Sequence, residues 1–245
     1  MIPYGKHHID NADIEAVVDV LQNQFLTQGK MVPQFEEALC KYVGTEYCVA
    51  VNSGTSALHI ACLAAGVEPG DLVWTSPISF AASANCARYC GADIDFVDID
   101  PKTRNICLQQ LERKLQLAAE SGRVPKAIVV VHFAGASCDM QSIKQITQQY
   151  SIKLIEDAAH ALGGTYQSQP IGNCQFSDMA ILSFHPVKAI TCAEGGAVVT
   201  NDESIAKRLQ LFAKHGITRS DLLDQAAHQD EGWFYEQQLL GYNYR

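Results

Sequence analysis

No run of apolar residues in this 245-residue chain reaches the roughly 18 that a membrane-spanning helix needs. The opening Met1-Ile2-Pro3-Tyr4-Gly5-Lys6 lacks the apolar stretch of a secretory leader. Positive charge is in deficit: 18 Lys and Arg stand against 27 Asp and Glu, a net charge of −9, so a face that tracks a nucleic-acid backbone is not expected. Neither G-x-G-x-x-G nor G-x-x-x-x-G-K-[ST] occurs, which removes the main sequence support for a dinucleotide or nucleoside triphosphate site. The nine cysteines include no C-x-x-C pair, and their odd number and even spread point to a reducing, cytoplasmic setting rather than a disulfide framework. Cys86 and Cys90 share a helix face at i and i+4, but without a second Cys/His pair no metal site is expected.

What is present is a regular alternation. Ile14, Val17, Val18 and Leu21 form one helical stripe between Asp10 and Leu21, with Asp10 or Asn11 as N-cap. Pro33 suits the first position of a second helix that carries Phe35, Leu39 and Val43 inward and stops at Gly44. Seven short apolar runs read as strands: 47–51, 72–75, 94–99, 127–133, 153–156, 179–184 and 197–200. Helices are predicted over 55–65, 80–89, 108–119, 140–150 and 204–214. Short buried strands alternating with longer helices imply an α/β fold, a largely parallel sheet covered on both faces. Residues 220–233 are polar and acidic and read as an exposed loop with a helical piece. The aromatic segment 239–245 is of a kind that a chain buries.

Three segments carry chemistry. Ser53-Gly54-Thr55-Ser56 lies between a strand and a helix N-terminus, where free N–H groups, the helix dipole and hydroxyls suit either a phosphate or an ordinary N-cap. Asp157 stands at the carboxyl end of an apolar strand, the edge where parallel α/β sheets bind ligands; a helix N-cap is the simpler role for it, and His160 reads equally as a core histidine. Lys188 follows Ser183-Phe184-His185-Pro186-Val187 on a loop among apolar residues; taken alone it reads as a surface lysine beside a β-turn, but a lysine so placed has its ammonium disfavoured, which is how an amine becomes a nucleophile. Together, a phosphate cradle, a strand-end acid and a loop lysine are the parts a pyridoxal phosphate site needs.

The wording N-S-G-T-S-A-L, E-D-A-A-H-A-L-G, S-F-H-P-V-K-x-I-T-x-x-E-G-G and G-Y-N-Y-R resembles the sugar aminotransferases of the DegT/DnrJ/EryC1/StrS family. These motifs run from Asn52 to Arg245, and Ile2-Pro3-Tyr4 fits as well, so the resemblance covers essentially the whole chain. It implies the large domain of the fold-type-I pyridoxal phosphate enzymes, with a mainly parallel seven-stranded sheet and helices on both faces. Residues 1–216 would be the cofactor-binding domain, and 217–245 the start of a connection to a small C-terminal domain that this sequence does not include.

By position, the resemblance makes Lys188 the Schiff-base lysine and proton carrier and Asp157 the partner of the pyridine nitrogen. His160 falls beside the ring, Thr55, Ser56 and Ser183 fall on the phosphate, and Phe80 falls on the ring face opposite Lys188. Asn243 or Arg245 would reach a phosphate in the partner of a homodimer, with His185 and Tyr4 on the substrate side. The segments 76–85 and 93–100 are most similar to the pseudaminic-acid branch of the family. That branch implies amination at C4 of a UDP-linked 4-keto-6-deoxy-N-acetyl-L-altrosamine with L-glutamate as donor. Branches that make 4-amino-4-deoxy-arabinose or perosamine share the cofactor site. A dehydratase of the same family would carry His where Lys188 stands, and an inactive fragment is the remaining alternative.

Overall fold

The structure is a computed structural model that describes residues 5–219 and 233–245. Tyr4 and the polar segment 220–232 lie outside the described residues. The chain opens with α1 (Asn11–Asn23), started by a capping box in which the Asp10 carboxylate accepts from the Ala12 and Asp13 N–H groups and Asp13 accepts from the Asp10 N–H. Its apolar stripe forms as the spacing predicts, yet none of its residues is buried: Ile14, Val17, Val18 and Leu21 all face solvent. In α2 (Met31–Val43), Leu39 and Val43 are buried, while Phe35 stays at the surface with its ring edge-on to Phe184 at 5.2 Å. The helix begins two residues before Pro33, whose missing N–H falls in the first turn, where it costs no helical bond.

The remaining elements follow in order: β1 (Tyr47–Val51), α3 (Gly54–Ala64), β2 (Leu72–Thr75), α4 (Ala82–Tyr89), β3 (Asp93–Phe96), α5 (Leu108–Glu120), β4 (Ala127–Val131), α6 (Met140–Thr147) and β5 (Lys153–Asp157). A two-residue hairpin comes next, β6 (Thr165–Tyr166) with β7 (Gln169–Pro170), and then β8 (Met179–Ser183), β9 (Gly196–Thr200), α7 (Glu203–Ala213), β10 (Ile217–Thr218) and β11 (Glu236–Gln237). The sequence places the seven main strands correctly and overruns three of their ends. The run 94–99 leaves the sheet after Phe96, 127–133 bends into a short 3₁₀ turn at Phe133, and 179–184 stops at Ser183.

The seven-stranded sheet has the order β1-β9-β8-β5-β4-β2-β3. Neighbours from β8 to β3 are parallel, and β9 runs antiparallel to both β1 and β8. Successive residues of β4 feed opposite faces. Ala127 and Val129 join the cluster packed under α3 and α7, and Ile128 and Val130 join the cluster under α5 and α6. Both faces are thus covered, which is why β4, β8 and β9 are buried along their full length. The polar ends of β1, β5 and β8 emerge along one edge. Among the described residues no helix is long and apolar enough to cross a membrane.

The segment 239–245 folds back against this body. Tyr242 and Tyr244 stack at 5.1 Å beside His59, the Tyr244 hydroxyl lies 3.0 Å from His59 Nδ1, and the Asn52 N–H donates to the Tyr244 carbonyl at 2.6 Å.

Candidate active site

Where β1 runs into α3, Ser53 is the N-cap and its hydroxyl accepts from the Ser56 N–H at 3.0 Å. Ser56 is buried, and its hydroxyl donates to Asn52 Oδ1 at 2.7 Å. It is thereby committed to holding the turn and does not line the cavity beside it. The first-turn N–H groups of Gly54 and Thr55 have no intrahelical acceptor and sit at the positive end of the helix dipole. Ser183, at the end of β8, closes the other side. A side chain on Gly54 would place its first carbon 3.0 Å from Ser183 Cβ and 3.1 Å from its Oγ. One on Gly196 would meet the Ser53 carbonyl oxygen at 2.4 Å. The cradle is therefore backbone and hydroxyl, kept open by two glycines.

Asp157 ends β5 and is 7% exposed. Its Oδ2 accepts from the Ser83 hydroxyl at 2.6 Å, and its Oδ1 accepts from the Ala159 N–H at 3.2 Å. Its neighbour Glu156 points to the opposite face of the sheet, where it accepts from Ser177 Oγ at 2.5 Å and meets His132 Nε2 at 2.7 Å. The Cys138 N–H donates to His132 Nδ1, so that nitrogen carries no proton and the ring gives its Nε2–H to Glu156. Two adjacent carboxylates are held in this way on opposite faces, and only Asp157 faces the cavity.

Beyond β8 the chain makes a loop clamped at its neck. The Phe184 N–H donates to the Gly195 carbonyl at 2.9 Å, and the Phe184 carbonyl accepts from the Cys192 N–H and the Thr191 hydroxyl. Lys188 sits on this loop with its Nζ 2.6 Å from His160 Nε2. Burial lowers the lysine from its ordinary value, and Asp157 pulls in the opposite direction. His160 is also lowered, by burial and then by the charge of Lys188. A lysine ammonium has only protons to offer, so toward it Nε2 of the ring is the acceptor.

Thr55, Phe80, Asp157, His160, Ser183, His185 and Lys188 all line one cavity of about 620 Å³. Phe80 stands at its rim, 76% exposed, and His185 is exposed beside it. Asn243 and Arg245 are exposed and do not line this cavity; the Asn243 backbone pairs with that of Lys214. Ser83 and Glu194 are additions that the sequence reading passed over. Ser83 reaches Asp157 from a helix 74 residues away, a proximity no local spacing signals, and Glu194, within the E-G-G wording, lines the cavity. A second cleft of similar volume, beside Trp74 and Lys114 at the β3 edge, contains none of the predicted residues.

The residues present fit pyridoxal phosphate. The cradle of backbone and hydroxyl donors suits a phosphate, the buried carboxylate suits a protonated ring nitrogen, and the half-buried amine suits an aldehyde. The DegT/DnrJ/EryC1/StrS aminotransferase family matches residues 7–245. A UDP-4-amino-4,6-dideoxy-N-acetyl-beta-L-altrosamine transaminase of Campylobacter jejuni is 42% identical over 100% of this chain and 61% of its own length. Among solved structures, Helicobacter pylori PseC, an aminotransferase involved in the biosynthesis of pseudoaminic acid, superposes with a TM-score of 0.87 at 35% identity, over 99% of this chain and 61% of that one. Spr1654 from Streptococcus pneumoniae in its PLP-form gives 0.84 at 28% identity, over 98% of this chain and 62% of that one. The chain spans about three fifths of the length of these relatives.

Proposed function

The chain belongs to the DegT/DnrJ/EryC1/StrS aminotransferase family, and from that premise we propose that it transfers the amino group of L-glutamate to the C4 keto carbon of a UDP-linked 4-keto-6-deoxy-N-acetyl amino sugar, with pyridoxal phosphate as cofactor. The observation that carries this reading is the single cavity in which the Lys188 amine, the Asp157 carboxylate and the Thr55 turn face one another. When bound, the cofactor supplies an aldehyde that takes up an amine and a ring that draws electron density from the adjoining carbon.

The protein's own residues do the rest. Thr55, Ser183 and the first turn of α3 hold the phosphate by hydrogen bonds and the helix dipole, and Ser56 supports them by fixing the turn through Asn52. Asp157 holds a proton on the ring nitrogen, and its own oxygens are steadied by Ser83 and Ala159. Lys188 would hold the cofactor through its aldehyde, and its amine is the group that would take and return the proton at the carbon bearing the amino group. His160 accepts a hydrogen bond from that amine and aims it. Phe80, at the cavity rim, would stack on the ring face opposite Lys188. His185 and Tyr4 are assigned to the sugar side, and Asn243 or Arg245 to a phosphate in the second subunit of a homodimer. Residues 1–216 form the cofactor-binding domain in this reading, 217–245 form the connection that leaves it, and the enzyme works in the cytoplasm.

The test is Lys188→Ala, assayed for amino transfer from L-glutamate to the UDP-linked keto-sugar. The substitution is expected to lower turnover at least about 10³-fold while the protein still retains cofactor noncovalently. A variant that turned over at the parental rate would overturn the assignment.

A further inference from the structure

In the segment G-Y-N-Y-R, Asn243 and Arg245 are exposed, whereas Tyr242 and Tyr244 are half-buried and turn into their own chain. Backbone hydrogen bonds tie this segment to the end of α7. The Tyr242 N–H donates to the Phe212 carbonyl at 2.7 Å, the His215 N–H to the Tyr242 carbonyl at 2.8 Å, and the Tyr244 N–H to the Ala213 carbonyl at 3.1 Å. Held there, Tyr244 reaches the β1–α3 junction at two points. Its carbonyl accepts from the Asn52 N–H at 2.6 Å, and its hydroxyl lies 3.0 Å from His59 Nδ1. His59 is 4% exposed and its Nε2 finds no hydrogen bond among the described residues, so the Tyr244 hydroxyl at Nδ1 is the hydrogen bond that orients the ring. The Tyr242 ring packs edge-on to the same imidazole at 4.7 Å. Between Asn52 and His59 lie Ser53, Gly54, Thr55 and Leu58, the part of α3 and its cap that lines the cavity. One residue thus grips the chain just before and just after the phosphate cradle.

We propose that Tyr244 is a positioning residue for the cofactor's phosphate: by bracing Asn52 and His59 it keeps the cradle of its own chain in the shape that holds the anion. The proposal rests on the cofactor reading above, and it gives Tyr244 a task separate from any reach of Asn243 or Arg245 into a second subunit. The physical reason is that a helix N-terminus frays unless its first turn is tied down, and its N–H groups attract a phosphate only while they converge on it. Asn52 is held from both sides. Its Oδ1 accepts from the Ser56 hydroxyl at 2.7 Å inside the turn, and its N–H is fixed by the Tyr244 carbonyl from outside. Loosening the outer tie lets the donors spread, so the ordering they have in the free protein must then be supplied by the ligand, at a cost in affinity. The Lys188 amine stands on the loop after β8, away from this tie, and keeps its reach to an aldehyde.

The experiment compares the full chain with Tyr244→Ala for binding of pyridoxal phosphate and of pyridoxal, which carries the aldehyde without the phosphate. Site-resolved hydrogen exchange at the Asn52 amide is followed in both proteins before any ligand is added. The variant is expected to bind pyridoxal phosphate at least about tenfold more weakly, to bind pyridoxal as the parent does, and to exchange the Asn52 amide at least about tenfold faster. Tyr244→Phe keeps the ring and the carbonyl and loses only the hydroxyl at His59. It is expected to show the same selective loss, about threefold, and it decides the matter alone if Tyr244→Ala does not fold. Unchanged affinity for pyridoxal phosphate in a folded variant would overturn the proposal, as would an equal loss for both ligands. A selective loss with unchanged Asn52 exchange in Tyr244→Ala would place the effect in a second subunit and overturn it too. A parent that captured neither ligand would instead overturn the cofactor reading and this proposal together.

Discussion

The residue on which most depends is Lys188, and its state is set by two opposed influences. Burial on the loop after β8 disfavours the ammonium, and the Asp157 carboxylate favours it; burial prevails, so the lysine lies below 10.5, its ordinary value. The free amine is therefore present at lower pH than in an exposed lysine. The rate of reductive methylation at Lys188, followed by mass spectrometry, should rise with a midpoint below 10.5. Asp157→Asn removes the one influence that raises the value, so it should move that midpoint further down. A midpoint at or above that of an exposed lysine, or an upward move in the variant, would contradict this balance. Lys188, Asp157 and Thr55 could be singled out from sequence because Asp157 ends a strand and the other two follow strand ends, all in distinctive wording. Ser83 could not, since its tie to Asp157 exists only once α4 has packed on the sheet.

At the scale of elements, most strands and helices could be read because their apolar residues recur with the correct period and their caps are explicit. Asp10, Ser53 and Asp202 each accept from N–H groups of the first turn that follows. Two things were not readable. The direction of β9 depends on the loop 184–195 returning beside β8, and nothing in Ala197 to Thr200 encodes it. The solvent-facing stripe of α1 has the same periodicity as a buried one, and only tertiary contacts distinguish them. Placing β9 between β1 and β8 brings Gly196 against the Ser53 carbonyl, an approach that admits no side chain. Gly196→Ala is accordingly expected to destabilise the protein by about 1–3 kcal/mol in urea unfolding and to weaken cofactor retention. Unchanged stability together with unchanged retention would show that the strand and the turn are not packed as described.

For the whole molecule, the sheet brings to one edge groups that are far apart in the chain. Thr55 follows β1, Asp157 ends β5, and Ser183 and Lys188 lie at and beyond β8. Strand order β1-β9-β8-β5 makes these ends close neighbours, so the cavity is a product of topology rather than of any local segment. Sequence wording singled out residues far apart in the chain, and the crossovers bring seven of them to one cavity. The central claim is that one lysine in this cavity captures an aldehyde-bearing phosphate ligand. Its most direct measurement is incubation with pyridoxal phosphate, reduction with borohydride, and peptide mapping of the stable pyridoxyl group. The account predicts about one group per chain, placed on Lys188 and absent when excess inorganic phosphate occupies the Thr55 turn. A label spread over surface lysines, or held at one other lysine, would contradict it.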